Sequence, residues 1–181
     1  MKQLIFLTLI LFISACSSMK VSELDPDGRL PTNEVATTVK SQDINLDQHK
    51  TLLLVPDDEF IIGQLNKIGY FDELMTLEDL ETKIIRQGLQ DKVGSVTDRI
   101  GINKAYTHYK PFLWLRFDSR GKGNDYHGQF ILTNPDDLED YFITETHFDY
   151  VWSGVNDQNN WYPMFNALID YIEKQSKTFN K

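Results

Sequence analysis

TLLLVPDDEFIIGQLNKIGYFDELMTLEDLETKI, residues 51–84, changes its hydrophobic period repeatedly, and those changes decide the fold. TLLLVP is a continuous apolar run bounded by proline, the pattern of a strand buried on both faces. Pro56-Asp57-Asp58 then opens a helix in which Ile61, Leu65 and Ile68 fall on one stripe, and Gly69 ends it. FDELMT is short enough for a second strand. Thr76 with Asp79 three residues later forms a helix start close to a capping box, followed by Leu77, Leu80, Ile84 and Gly88-Leu89 at helical spacing. Strand, helix, strand, helix is the pattern that demands crossover connections.

Working outward, EVATTVKS at 34–41 is β-branched and alternating, as an edge strand would be. TDRIGINKAYTHYK at 97–110 predicts a further short helix, weakened by Gly101. In PFLWLRFD, residues 111–118, Leu113, Leu115 and Phe117 share one strand face and Phe112, Trp114 and Arg116 the other. HGQFILT and DYFITETHFDYVW lie either side of Asn134-Pro135-Asp136-Asp137 and complete a three-stranded antiparallel meander. Trp161, Phe165, Leu168, Ile169 and Ile172 then mark a terminal helix over about 159–175. Long hairpins require antiparallel pairing and crossovers require parallel pairing. The expectation is therefore an α/β (α+β) chain with a single mixed sheet covered by helices, closed by the meander and the terminal helix.

The 181 residues suit one domain with short appendages, and 18 basic against 27 acidic side chains leave a net charge of −9. Such a field repels phosphate backbones and anionic head groups, so no nucleic-acid partner is expected. The lone cysteine cannot form an internal disulfide or a zinc pair.

Lys2, the ten-residue apolar run Leu4 to Ile13, and the small residues Ser14-Ala15 before Cys16 have the three zones of a secretory signal. The run is too short to span a bilayer, which takes about 20 residues. Ile13-Ser14-Ala15-Cys16 resembles the lipobox of bacterial lipoproteins. That resemblance implies a diacylglycerol on the Cys16 sulfur, cleavage just before it, and acylation of the new amino group. Each buried CH₂ would add about 0.8 kcal/mol of anchoring. Ser17, rather than Asp, resembles the sorting position of outer-membrane cargo in enteric lipoproteins. The implied location is the bacterial cell envelope, lipid-anchored to the outer membrane and facing the periplasm. Loss of Lys2 with the leader leaves 17 basic against 27 acidic side chains, net −10, so lipid insertion rather than charge would hold the anchor. Three segments follow: a signal peptide over 1–15, a lipidated flexible tether over 16–33 with two prolines and the turn pair Asp27-Gly28, and one periplasmic domain over 34–181.

Over residues 50–175, LLLVP, LNKIGYFDELMTLEDLETKI and DYVWSG resemble in order the periplasmic domain of the curli-secretion channel lipoprotein and the amino-terminal domain of the Tol-Pal periplasmic protein, with Gly69-Tyr70-Phe71 at the helix-to-strand step. The likeness implies a fold more than a function. The long hairpins by which a curli-type channel crosses the outer membrane have no counterpart, so pore formation is not implied.

Catalytic patterns are missing from the sequence. No Gly-x-Ser-x-Gly surrounds Ser153. His49, His108, His127 and His147 contain no HExxH, although His127 and His147 fall on neighbouring strands. Asp57-Asp58-Glu59 suits a helix start, Asp136-Asp137 with Glu139-Asp140 suits a turn, and neither follows a calcium-loop pattern. RGKGND lacks P-loop spacing. No catalytic residue, metal set or cofactor is expected. Aromatic residues concentrate in the final third, and Trp114, Arg116, Trp152 and Trp161 form the candidate interaction surface, these residue types being the usual anchors of protein contacts. The expected function is a non-enzymatic accessory or assembly subunit that binds other envelope proteins or itself. The alternatives are a small-ligand-binding lipoprotein with a pocket between sheet and terminal helix, lined by Trp114 and Trp152, and a cryptic envelope hydrolase.

Overall fold

A computed structural model describes residues 19–148 and 155–179. Cys16, Ser17 and Trp152 lie outside the described residues.

Six strands form one sheet: β1 (Thr37–Ser41), β2 (Thr51–Val55), β3 (Glu73–Met75), β4 (Leu113–Lys122), β5 (Asp125–Asn134) and β6 (Glu139–His147). Their spatial order is β1-β6-β5-β4-β2-β3. β2 runs parallel to both β3 and β4, whereas β4, β5, β6 and β1 pair antiparallel in succession. The mixed α+β architecture thus follows from the crossovers at one end of the sheet and the meander at the other.

The helices are α1 (Glu59–Ile68), α2 (Leu77–Arg86), α3 (Gln90–Val93), α4 (Arg99–His108) and α5 (Tyr162–Gln175), with a π-helical turn at Asp157–Trp161 leading into α5. Local chemistry sets their ends. Asp58 caps α1 by accepting the Ile61 N–H, and Gly69 closes it in the left-handed region at φ 70°. Thr76 and Asp79 form a complete capping box on α2. The expected continuation through Gly88-Leu89 breaks at Arg86, because Gly88 turns the chain at φ 65° before α3 begins. Gly101 strengthens the fold rather than weakening it: a Cβ there would stand 1.5 Å from the Ser95 carbonyl oxygen, so only glycine lets α4 approach the preceding loop.

Strand alternation divides the apolar side chains between two cores. Leu52, Leu54, Leu113, Leu115, Phe130, Leu132 and Phe142 face α1 and α5. Leu53, Phe112 and Trp114 face the other way, onto Met75, Leu80, Ile84, Ile102 and Ala105. Each fully buried Leu or Phe contributes about 1.5–3 kcal/mol. The result is a three-layer sandwich with α1 and α5 on one face of the sheet and α2 to α4 on part of the other.

The expectation of a flexible tether over 16–33 is corrected where the chain is described. Residues 20–32 form a strap clamped across α1 and α5. Ser22 exchanges two hydrogen bonds with the fully buried Gln64, at 3.0 and 3.1 Å. Leu30, itself buried, does the same with Asn166 at 2.8 and 3.0 Å. Between them Asp25 to Arg29 form the anticipated turn, with Gly28 at φ 74°, and the Arg29 guanidinium forks onto Glu173 and Asp170. The physical reason is satisfaction of polar groups: two amide side chains within apolar helix faces need partners, and an extended backbone offers a matching donor and acceptor. α5 buries more than one stripe, Tyr162, Met164 and Tyr171 included, with the Tyr162 hydroxyl bonded to the strap at the Lys20 carbonyl.

Candidate docking groove

The strap does not close against β1. It leaves an open groove of about 560 Å³ between residues 25–36, β1 and α5. Phe142 and Tyr171 stack beneath it with ring centroids 4.5 Å apart, and Pro31, Val35, Pro163 and Ala167 line its sides. Among the described residues β1 pairs with β6 alone, so its outer edge presents backbone N–H and C=O groups that no described strand takes up. Val35 and Val39 beside that edge are 90% and 52% exposed. A free strand edge next to an apolar trough is the geometry that accepts an extended peptide segment.

The rim is acidic. Asp25 and Glu34 stand at the opening, while its cations are engaged: Arg29 with Glu173 and Asp170, Lys174 with Asp43 at 3.2 Å. The hydrogen bonds with Glu173 and Asp170 push the Arg29 guanidinium above its ordinary pKa, fixing its charge. Burial pushes the Tyr171 phenol well above its usual value, and its hydroxyl donates to the Gln42 carbonyl at 2.9 Å. Neither group is poised for proton transfer near neutrality.

No family model, curated protein or solved structure matches this chain. The site is therefore read from its own geometry.

Of the described residues expected to form an interaction surface, Trp114 and Arg116 adjoin, but Trp161 is not brought to them. Trp114 and Trp161 are each only 7% exposed, and they lie on opposite faces of the sheet. Trp114 packs in the α2–α4 core with the Arg116 guanidinium 5.1 Å over its ring; Arg116 in turn bridges to Asp140 at 2.9 Å. Trp161 belongs to the α1–α5 core, its ring 4.8 Å from Phe117 and 6.0 Å from Phe60. A pocket under the terminal helix cannot include Trp114, because that side chain points to the opposite face. Strand alternation puts Trp114 on one face of the sheet, and the turn into α5 brings Trp161 to the other.

His127 and His147 do oppose one another across β5 and β6, with ring centroids 5.3 Å apart. Their ring nitrogens are directed elsewhere, His127 Nε2 to Asp125 at 3.0 Å and His147 Nε2 to the Asn124 carbonyl at 2.6 Å. Among the described residues no three His, Cys, Asp or Glu side chains are grouped to hold a metal ion. Beside them Glu145, only 4% exposed, accepts hydrogen bonds from Arg120 and Gln129. Those bonds, the Arg120 ones foremost, hold its carboxyl below the ordinary range against the opposing effect of burial. It is a charge-paired clamp between strands.

The groove itself was not read from the sequence. Two sequence features lie at it: valines at 35 and 39, just before and within an edge strand, and Asn166 interrupting the apolar face of α5.

Proposed function

We propose that this chain is an acyl-anchored bacterial envelope lipoprotein, held to the outer membrane through Cys16 and facing the periplasm. It acts as a non-enzymatic accessory or assembly subunit that binds another envelope protein. The observation that carries the reading is the signal pattern itself, an apolar run from Leu4 to Ile13 that stops at small residues and then at the sole cysteine. No helix among the described residues is long and apolar enough to cross a membrane. The likeness of residues 50–175 to domains of envelope assembly machines favours an accessory role.

The groove beside β1 is the docking surface under this reading. Its occupant is an extended, positively charged segment of the partner: main-chain hydrogen bonds to β1 supply affinity, small apolar side chains fill the trough, and cationic residues meet the acidic rim. Photo-crosslinkers placed at Val35 or Val39 in native membranes should capture a discrete partner, and one at Ile100, 66% exposed on the other side of the sheet, should not. Adducts of equal yield at all three positions, or none at any, would remove the groove from the account.

A small-ligand reading is favoured by the groove volume of about 560 Å³, within the range of ligand sites. The openness of the trough to solvent and its adjoining strand edge fit a peptide better.

A further inference from the structure

The described chain begins at one particular end of the domain. The Lys20 N–H reaches Asp157 Oδ2 at 3.4 Å, and the Tyr162 hydroxyl donates to the Lys20 carbonyl at 3.0 Å. Val21 lies so close on α1 that a Cβ on Gly63 would stand 2.5 Å from its methyl group. Ser22 pairs with Gln64, and Glu23 forms an ion pair with Lys67. The strap therefore descends α1 from its amino-terminal half toward its carboxy-terminal end. Met19 sits where the start of α1 and the π-helical turn before α5 adjoin.

Sheet direction tells what else shares that end. Val55 closes β2 beside Arg116, and β4 continues in the same sense to the hairpin tip at Lys122–Asp125. Asp57, just before α1, and Lys122 thus project from the end at which the strap begins. Asp72, just beyond the far end of α1, projects from the opposite one.

Resting on the acyl-anchored reading, we propose that the strap fixes how the domain stands on the bilayer: the end bearing Met19, Asp57 and the β4–β5 tip lies against the lipid surface, and the Asp72 end points away. Reach decides this. Three residue steps separate Cys16 from Met19, at most about 11 Å of extended chain. α1 alone, at ten residues, is about 15 Å long. A leash shorter than α1 does not let the domain turn over, whereas a free tether of seventeen residues would reach about 20–25 Å and permit it. The net charge of −10 after leader removal supplies no competing attraction to anionic lipids. Met19 and Val21, 40% and 42% exposed at the exit point, place apolar side chains where the chain meets the interface.

The test uses the full chain isolated from bacterial membranes and reconstituted in vesicles containing lipids with nitroxide-labelled head groups. With the Cys16 sulfur acylated, Asp57→Cys, Lys122→Cys and Asp72→Cys each introduce the single free thiol for a fluorescent label. Labels at 57 and 122 should be quenched at least threefold more than the label at 72. A fifteen-residue Gly-Ser insertion between Ser18 and Met19, which touches no described contact, should erase the difference. Equal quenching at the three positions in acylated protein overturns the fixed orientation and leaves the anchor standing. A difference that survives the insertion overturns the role of the strap. Intact mass measured on the same preparation separates these from a failure of the anchor: an unmodified Cys16 thiol would remove both proposals.

Discussion

Gln64 and Ser22 form a closed pair: the Ser22 N–H donates to Gln64 Oε1 at 3.0 Å, and Gln64 Nε2 donates back to the Ser22 carbonyl at 3.1 Å. Gln64 is fully buried within the apolar face of α1, between Ile61, Leu65 and Ile68. Its amide is thus satisfied by a backbone forty-two residues away in sequence.

Replacing Gln64 by Leu keeps the volume and strands both Ser22 groups. The expected loss is about 2–3 kcal/mol of unfolding free energy, measured by denaturant titration, with faster amide exchange over residues 20–24. Unchanged protection in that segment would mean that the strap is held by other contacts.

Gly101 and Gly88 separate steric clash from backbone strain. Gly101→Ala drives a methyl group into the Ser95 carbonyl and should cost about 3 kcal/mol. Gly88 has a positive φ and no atom within 4 Å of a new Cβ, so Gly88→Ala should cost about 1 kcal/mol. Thermal unfolding of the two variants checks the ranking, and a reversed order would contradict the close approach of α4 to residue 95.

Glu145 makes the stability acid-sensitive. Arg120, aided by Gln129 and by the charge of His127, lowers its folded pKa, so its contribution is complete above the ordinary carboxylate value of about 4.3 and is lost as pH falls through the lower folded value. Unfolding free energy should therefore decline below about pH 5, and Glu145→Gln should flatten that decline. An identical acid slope in the variant would place the sensitivity in other carboxylates.

Much of the sheet was legible because its signals are local. Leu52 to Leu54 could only be a strand buried on both sides, Thr76 with Asp79 fixed a helix start, and the alternation in 112–117 assigned Leu113 and Leu115 to one core and Phe112 and Trp114 to the other. The strap was not legible, because polar residues with two prolines carry no period and their partners lie in distant helices. Its trace was indirect: Gln64 and Asn166 stand among apolar neighbours, and a buried amide needs a partner. The placement of the expected aromatic residues was not legible for a related reason. Trp114 and Trp161 are far apart in sequence, and strand alternation at one and the turn into α5 at the other send them to opposite cores.

The whole account turns on the Cys16 sulfur. Intact-mass spectrometry of the chain from membranes of the producing bacterium tests it most directly. The predicted result is a protein lacking residues 1–15 and carrying a diacylglyceryl group with further acylation on Cys16. A bare Cys16 thiol, or a chain that keeps residues 1–15, would contradict it.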